Sequence, residues 1–403
     1  MARRNGGFIG QDGLDAPDPP TGVSASGVTD RLAVAFTAPT DVGTSAITGF
    51  RAQASGSGTS GTSSPLTITG LTAGTSYNVS VWAINAYGYS SPSAAISATP
   101  SVFQRALFAA GNTSGGFINV IQYIDITTTG NTTDFGDVED NFQGMHPTGS
   151  SRTRGVWGGG KASSGAVNSI RYVTIATTGN STDFGDLTIA SALGGGLSNS
   201  TRGLTIGGQG DSGSNTRIDY ITIASTGDAT DFGDPSAASE EPAGLSSSTR
   251  GVYSNTGSSS TNSGTVIEYV TIGSTGDATD FGDLSVGRGN LMGAMSNGTR
   301  GVFAGGNTGS VSNVMDYITI ASTGNATDFG NLTVARHDTT GTGSSTRGIV
   351  MGGNNGAGSG GGNPVDVIDY ITIASTGNAT DFGNLAANTQ KGAAISSDHG
   401  GLQ

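Results

Sequence analysis

The chain has 403 residues, of which 12% are charged, with 70 glycines, no cysteine and a formal net charge of -13. The acidity argues against a nucleic-acid partner, which needs clustered Lys and Arg, and against simple adhesion to anionic lipid. The absence of cysteine excludes disulfides and thiolate metal sites, and no apolar run reaches the roughly 20 residues that span a bilayer, so no membrane insertion is expected.

Gly, Thr and Val disfavour helix, and no 3.6-residue apolar period runs through the chain. Short apolar runs bounded by Gly, Asn, Asp and Ser point to strands and turns, so the expected fold class is all-β. The opening "MARRNGGFIGQDG" carries two arginines with no hydrophobic stretch behind them and does not read as a secretory signal. Residues 1–17 are expected to be an extended docking arm that a partner orders.

Residues 18–100 change to short alternating strands, from "PDPPTGVSASG" to "SPSAAISATP". Within them, "LTAGTSYNVSVWAINAYGYSSPS" places Tyr77 ahead of alternating Val79, Val81 and Ala83, with Leu71 and Gly74 before it and Asn85 and Gly88 after it. This stretch resembles a fibronectin type III domain, with Tyr77 in the place of its tyrosine corner. The resemblance implies a sandwich with Val34 and Phe36 facing the core from one sheet and Ile47 and Phe50 from the other. It also implies a spacer role, and no Arg-Gly-Asp is present to imply integrin recognition. Trp82 and Trp157 fall in strands and are expected in cores.

Residues 101–403 repeat. The aspartates of six "DFG" words stand at 134, 183, 231, 280, 328 and 381. A period of about 40–50 residues with several strands per unit is the signature of a β-propeller. The fifth unit offers strands at 301–306, 314–321, near 328–332 and near 340–345. The order resembles the kelch family: a strand ending in a glycine pair (Gly159-Gly160, Gly207-Gly208, Gly305-Gly306, Gly352-Gly353), then one with a tyrosine (Tyr123, Tyr172, Tyr220, Tyr269, Tyr317, Tyr370). Next comes an aromatic, here Phe where kelch has Trp (Phe135, Phe184, Phe232, Phe281, Phe329, Phe382). The repeats open on a glycine-pair strand, "ALFAAG", and end on "KGAAISSDHG", an innermost-type strand. Pairing these two would close six blades and hide both sheet edges.

"DFG" here lies in a strand–turn–strand connector, without the Gly-rich loop, strand Lys or "HRD" of a kinase. Its Asn and Gly serve the turn, its Phe the core between blades, and its Asp an ion pair with the Arg of "TRG". Six structural pairs are expected: Arg105–Asp134, Arg154–Asp183, Arg202–Asp231, Arg250–Asp280, Arg300–Asp328 and Arg347–Asp381. Asp228, Asp231 and Asp234 could offer oxygens to calcium, but their spacing does not match an EF-hand loop. No metal and no cofactor is expected.

Two connectors per unit, "SSTRG" and "ASTGNATD", are nearly constant, whereas the other two vary. Up-down strand order puts the constant pair on one face and the varied pair on the other, where repeat proteins place binding surfaces. Phe142, His146, Glu240, Glu241, Arg288, Asn290, Arg336, His337 and Asp338 are the candidate ligand-binding residues of the varied face. Catalysis is not expected. The copper oxidase relatives of kelch need Tyr, His and Cys, and a sialidase-like site needs clustered arginines, whereas the arginines here recur at one peripheral register.

The layout of arm, fibronectin-like spacer and Gly/Thr-rich repeats resembles structural proteins of tailed phages, particularly those infecting marine cyanobacteria. That resemblance implies a virion protein, assembled in the host cytoplasm and released by lysis. It would be a tail or fibre appendage whose propeller contacts a host-surface glycan or protein, with other virion proteins and further copies of the chain as partners. Two alternatives stand beside it: a capsid or tail decoration without receptor binding, and a bacterial extracellular adhesin or lectin.

Overall fold

The computed structural model describes residues 15–28, 31–101, 104–255, 264–290, 292–356 and 363–402. Of the expected docking arm, residues 1–14 lie outside them. The chain divides into two compact units, residues 1–103 and 104–403. Both are built from strands; the described helical structure is one short 3₁₀ turn, Gly400–Leu402.

The first unit is a pair of antiparallel sheets. Thr21–Val28, Arg31–Thr37 and Leu66–Ile68 form one. Ser57–Gly61, Ile47–Ala54 and Tyr77–Asn85 form the other, with Gly88–Tyr89 and Ile96–Ala98 also pairing to Tyr77–Asn85. Alternation sends Leu32, Val34 and Phe36 inward from one sheet and Phe50, Ala52, Val79, Val81 and Ala83 from the other. The rings of Phe36 and Phe50 meet at 4.8 Å. Tyr77 Oη accepts the backbone N–H of Thr72 at 2.9 Å, fixing the corner before its strand. The same alternation corrects the expectation for Trp82: it lies between inward-facing Val81 and Ala83 and is only half-buried on the opposite face.

The second unit contains six four-stranded antiparallel sheets, described from the inner strand outward. Sheet I runs Ala393–Ser396, Arg105–Thr113, Gly116–Asp125, Thr133–Phe142, so its inner strand comes from the far end of the unit. Sheet II is His146–Ser150, Arg154–Gly158, Ser169–Thr174, Thr182–Asp186, and sheet III Gly195–Ser198, Arg202–Ile206, Ile218–Thr222, Thr230–Gly233. Sheet IV is Ala243–Ser246, Arg250–Ser254, Val266–Thr271, Thr279–Asp283. Sheet V is Gly293–Ser296, Arg300–Ala304, Val314–Thr319, Thr327–Asn331, and sheet VI Thr340–Gly343, Arg347–Met351, Val367–Thr372, Thr380–Asn384.

Each sheet is tied to the next by the same bonds, and each series returns to its start. The turn glycine of "TGN" or "TGD" donates to the "DFG" Phe carbonyl of the preceding sheet: Gly179 to Phe135, Gly227 to Phe184, Gly276 to Phe232, Gly324 to Phe281, Gly377 to Phe329, and Gly130 back to Phe382. The following Asn or Asp accepts a backbone N–H from that sheet, as Asn180 Oδ1 does from Asp137 and Asn131 Oδ1 from Asn384. Asp228 Oδ1 is engaged in this way by Asp186 N at 3.0 Å.

These contacts explain the recurring word. The "DFG" glycines have φ between 144° and 151°, and a Cβ on any of them would collide with the carbonyl of the next sheet's turn glycine. The Phe rings sit in cores shared by neighbouring sheets: Phe329 and Leu332 pack with Ile371 and Ile373, and Phe382 and Leu385 with Phe108, Ile124 and Ile126. Each Phe ring also meets the repeat tyrosine of its own sheet edge-on, at 5.9–6.1 Å.

The expected Arg–Asp pairs are corrected. The guanidinium of Arg105 and of each "TRG" arginine lies over the repeat tyrosine, with Cζ 3.9–4.4 Å from the ring centre. Its Nη1 donates at 2.8–3.2 Å to an isoleucine carbonyl of the next sheet: Arg105 to Ile175, Arg154 to Ile223, Arg202 to Ile272, Arg250 to Ile320, Arg300 to Ile373, and Arg347 to Ile126. The "DFG" Asp points the other way. In sheet III, Thr230 lies opposite Tyr220, so Phe232 shares the face of Tyr220 and Arg202 while Asp231 takes the opposite one. Asp231 instead lies 3.6 Å from Arg217. Asp134, Asp183, Asp280, Asp328 and Asp381 are likewise exposed on that outer face.

Candidate functional site

The inner strands pack side by side in the order of the sheets, and Ala393–Ser396 packs against both Thr340–Gly343 and His146–Ser150. Their last residues form a chain of hydroxyl-to-carbonyl bonds. Ser246 Oγ donates to Ser198 O and Ser296 Oγ to Ser246 O, both at 2.7 Å, while Ser150 Oγ donates to Ser396 O and Ser396 Oγ to Gly343 O, both at 2.6 Å. Small side chains leave a cavity of about 60 Å³ there. Residues following the last strand cover it on the "TRG" side. His399 Nε2 lies 3.2 Å from Ser150 O and 3.1 Å from Ser198 Oγ, and its Nδ1 accepts from Gly401 N. That pattern fixes a neutral Nε2–H tautomer. Burial holds the His399 pKa down at about 4, against the opposing pull of the Ser150 carbonyl.

The "TRG" side also holds the ion pair Arg152–Asp398 at 3.4 Å, and the opposite, varied side carries a second group of charged side chains. Gly144, Leu193, Asn290, Asp338 and Lys391 precede inner strands and all have left-handed backbone, with φ between 55° and 62°. Their backbones link around the opening: Leu193 N to Gly144 O, Gly144 N to Lys391 O, Lys391 N to Asp338 O and Asp338 N to Asn290 O. Left-handed backbone costs a non-glycine residue roughly 1–2 kcal/mol. In sheet IV the corresponding place is held by Glu240-Glu241-Pro242.

Side chains from three sheets meet above this opening. Lys391 Nζ lies 3.8 Å from Asp338 Oδ2 and 4.0 Å from Glu241 Oε1, both longer than hydrogen bonds. His337 Nδ1 lies 3.4 Å from Asp338 Oδ2. Glu241 is pushed up to about 7, by burial first and then by the Asp338 charge, with Lys391 pulling the other way. Burial alone would lower His337, but the Asp338 carboxylate beside it leaves it raised. Beneath the group lies a cavity of about 30 Å³, lined by Met145, Pro147, Pro242 and Met292 among others. Its walls include Pro242, Thr339 and Gly392, the residues that directly follow Glu241, Asp338 and Lys391.

The candidate residues therefore divide. Glu241, Asn290, His337 and Asp338 gather at this opening, and Glu240 stands beside them, accepting from Ser214 Oγ at 2.9 Å. The other four were expected as ligand-binding residues of the varied face; each is buried, as are Asn290, His337 and Asp338 at 5%, 0% and 2% exposed. Phe142 is 1% exposed, beneath the Arg171 guanidinium at 4.4 Å. His146 is fully buried beside Ser191 and its burial lowers it to about 4. Arg288 and Arg336 are fully buried, each 2.9 Å from an equally buried carboxylate, Asp316 or Asp369. Each aspartate also accepts from the backbone N–H and hydroxyl of the preceding sheet's connector, Ser285 or Thr333. These arginines offset a buried charge and so turn inward.

Two features escaped the sequence reading. Lys391 was hidden because "KGAAIS" was assigned only a strand-closing role. The residue before each repeat tyrosine, such as Gln122, Asp219, Glu268, Asp316 or Asp369, is a buried polar anchor for the preceding connector. Its signal was visible as a polar residue in an otherwise apolar strand.

The tyrosine corner and two-sheet core of the first unit agree with a family comparison. Residues 18–99 match the fibronectin type III domain. The fibronectin type III domain thus accounts for the first unit and for none of the charged opening in the second. No curated protein matches the chain.

Proposed function

We propose that residues 104–403 form a six-bladed, kelch-like β-propeller closed by Ala393–Ser396, within a phage virion structural protein. In this reading the protein is a tail or fibre appendage, the fibronectin type III domain is a spacer, and the N-terminal arm docks on other virion proteins. The varied face then attaches to a host-surface glycan or protein. Three cyclic series support the closed architecture: the turn glycines, the arginine–isoleucine bonds and the packing of the inner strands.

The observation that carries the functional reading is the contrast between faces. Arg105 with the five "TRG" arginines, and the six "TGN" or "TGD" turns, repeat the same bonds six times. The varied side instead brings together Glu241, His337, Asp338 and Lys391, which no repeat rule requires. Uniformity answers to scaffold needs, and individuality to a ligand.

The test has two parts. Mass spectrometry of purified particles should detect the chain. The purified protein should also be retained on cells of the strain that propagates the phage, and lose that retention when the varied connectors become Gly/Ser. Absence from particles would end the virion reading, and unchanged retention would end the attachment reading. The burial of Phe142, His146, Arg288 and Arg336 favours a second reading, a capsid or tail decoration without a receptor, because it leaves the face fewer side chains to present. That reading expects the chain in particles and no retention on cells.

A further inference from the structure

We propose that the opening formed by Glu241, Asp338 and Lys391 is a subsite for a primary ammonium group, such as the amine of an amino sugar, which takes the place of the Lys391 ammonium. The source of such a ligand rests on the attachment reading; its chemistry does not.

The Asp338 and Glu241 carboxylates both face the Lys391 ammonium, and Asp338 also faces the His337 ring at 3.4 Å. At 3.8 and 4.0 Å the Lys391 ammonium is near both and hydrogen-bonded to neither. Asp338 is 2% exposed, and its Oδ1 has no hydrogen-bond partner, as is true of both ring nitrogens of His337. An unsatisfied buried carboxylate oxygen costs free energy that an incoming donor recovers. Glu240 adds a further negative charge at the rim. A ligand ammonium offers three N–H donors where Lys391 now uses none.

The approach is open. The side chains of Lys391 and Glu241 are 18% and 15% exposed, so the lysine can swing outward without opening the core. Beneath them the cavity of about 30 Å³, walled by Met145, Pro147, Pro242 and Met292, suits a small apolar group attached to the amine. An anionic ligand would meet Glu240, Glu241 and Asp338 and be repelled. A neutral N-acetyl group would bring one amide donor and no charge.

Isothermal titration of the full chain with glucosamine, N-acetylglucosamine, glucose and methylamine separates these chemistries. The expected result is binding of glucosamine at least about 10-fold tighter than N-acetylglucosamine or glucose, with loss of about 10-fold in Glu241→Gln. Lys391→Met removes the competing cation and should tighten glucosamine binding several-fold. Methylamine binding as well as glucosamine would show that the amine alone is read, and weaker methylamine binding that the sugar ring adds contacts. Equal binding of glucosamine and glucose, or no glucosamine binding by the wild-type chain, overturns the proposal even if a variant fails to fold. If glucosamine binds but does not release the protein from cells, the attachment reading fails while the subsite stands. If connector replacement abolishes retention and glucosamine does not bind, the subsite alone fails.

Discussion

Arg347 donates a 2.8 Å hydrogen bond to the carbonyl of Ile126, a residue 221 positions away in sequence. The same bond joins Arg105, which stands in "QRA", to Ile175 and joins four further pairs in "TRG" words, so the arginine at this repeat position links neighbouring sheets each time. Stacking on tyrosine and bonding to a carbonyl together need a planar cation with several donors, which explains arginine at each place.

Replacing Arg300 tests that link. Its Cζ lies 4.4 Å from the centre of the Tyr317 ring and its Nη1 3.2 Å from Ile373 O. Arg300→Lys should lower unfolding stability by about 1 kcal/mol and Arg300→Ala by about 2 kcal/mol in urea titrations. A lysine variant as stable as wild type would mean that the stacked geometry contributes nothing.

The "DFG" glycine makes a different demand. At Gly330, φ is 144°, and a methyl group would overlap the Gly377 carbonyl. Gly330→Ala should therefore cost about 1–3 kcal/mol by overpacking against a backbone that cannot yield. Gly273, which has open space around its Cβ position, is the control, and Gly273→Ala should leave the melting temperature nearly unchanged. Equal effects at the two sites would contradict the packing explanation.

The buried pair Arg336–Asp369 should show strong coupling. Arg336→Met leaves the carboxylate uncompensated and is expected to cost about 3–5 kcal/mol, whereas Arg336→Met with Asp369→Leu should recover much of the loss. Simple additivity of the two single substitutions would show that the charges act independently.

Stability should also depend on pH, with opposite signs for the two buried histidines and for Glu241. Unfolded histidines take up protons near 6.5, but His146 and His399 stay neutral in the fold down to about 4. Their contribution is complete above 6.5 and is lost as pH falls toward 4, by up to about 3 kcal/mol each. Glu241, at about 7 in the fold, holds its proton where the unfolded chain has released it, so it adds stability as pH falls from 7 toward 4.5. Thermal melts from pH 8 to pH 5 should show a flatter acid limb for His399→Gln and a steeper one for Glu241→Gln. A common slope for all three proteins would contradict these assignments.

Strand order, the tyrosine corner and the inter-sheet Phe cores were legible because period-two patterning and repetition are local properties. The direction of Arg202 relative to Asp231 was not, because it depends on which sheet face each residue takes across a bulge between Ile218 and Asp219. Arg288 and Arg336 misled for another reason. A charged residue in a varied connector reads as solvent-facing until its buried partner, a sheet away in sequence, is known. Lys391 became visible only when the inner strand it precedes was seen beside those of Asp338 and His146.

Amide hydrogen exchange across Ala393–Ser396 in the full chain tests the proposed closure most directly. If this strand completes sheet I through its pairing with Ala106–Ala109, its amides should be protected as strongly as those of Arg300–Ala304 within sheet V. Exchange at the rate of an unpaired segment, with Ala106–Ala109 equally unprotected, would contradict a six-bladed disc.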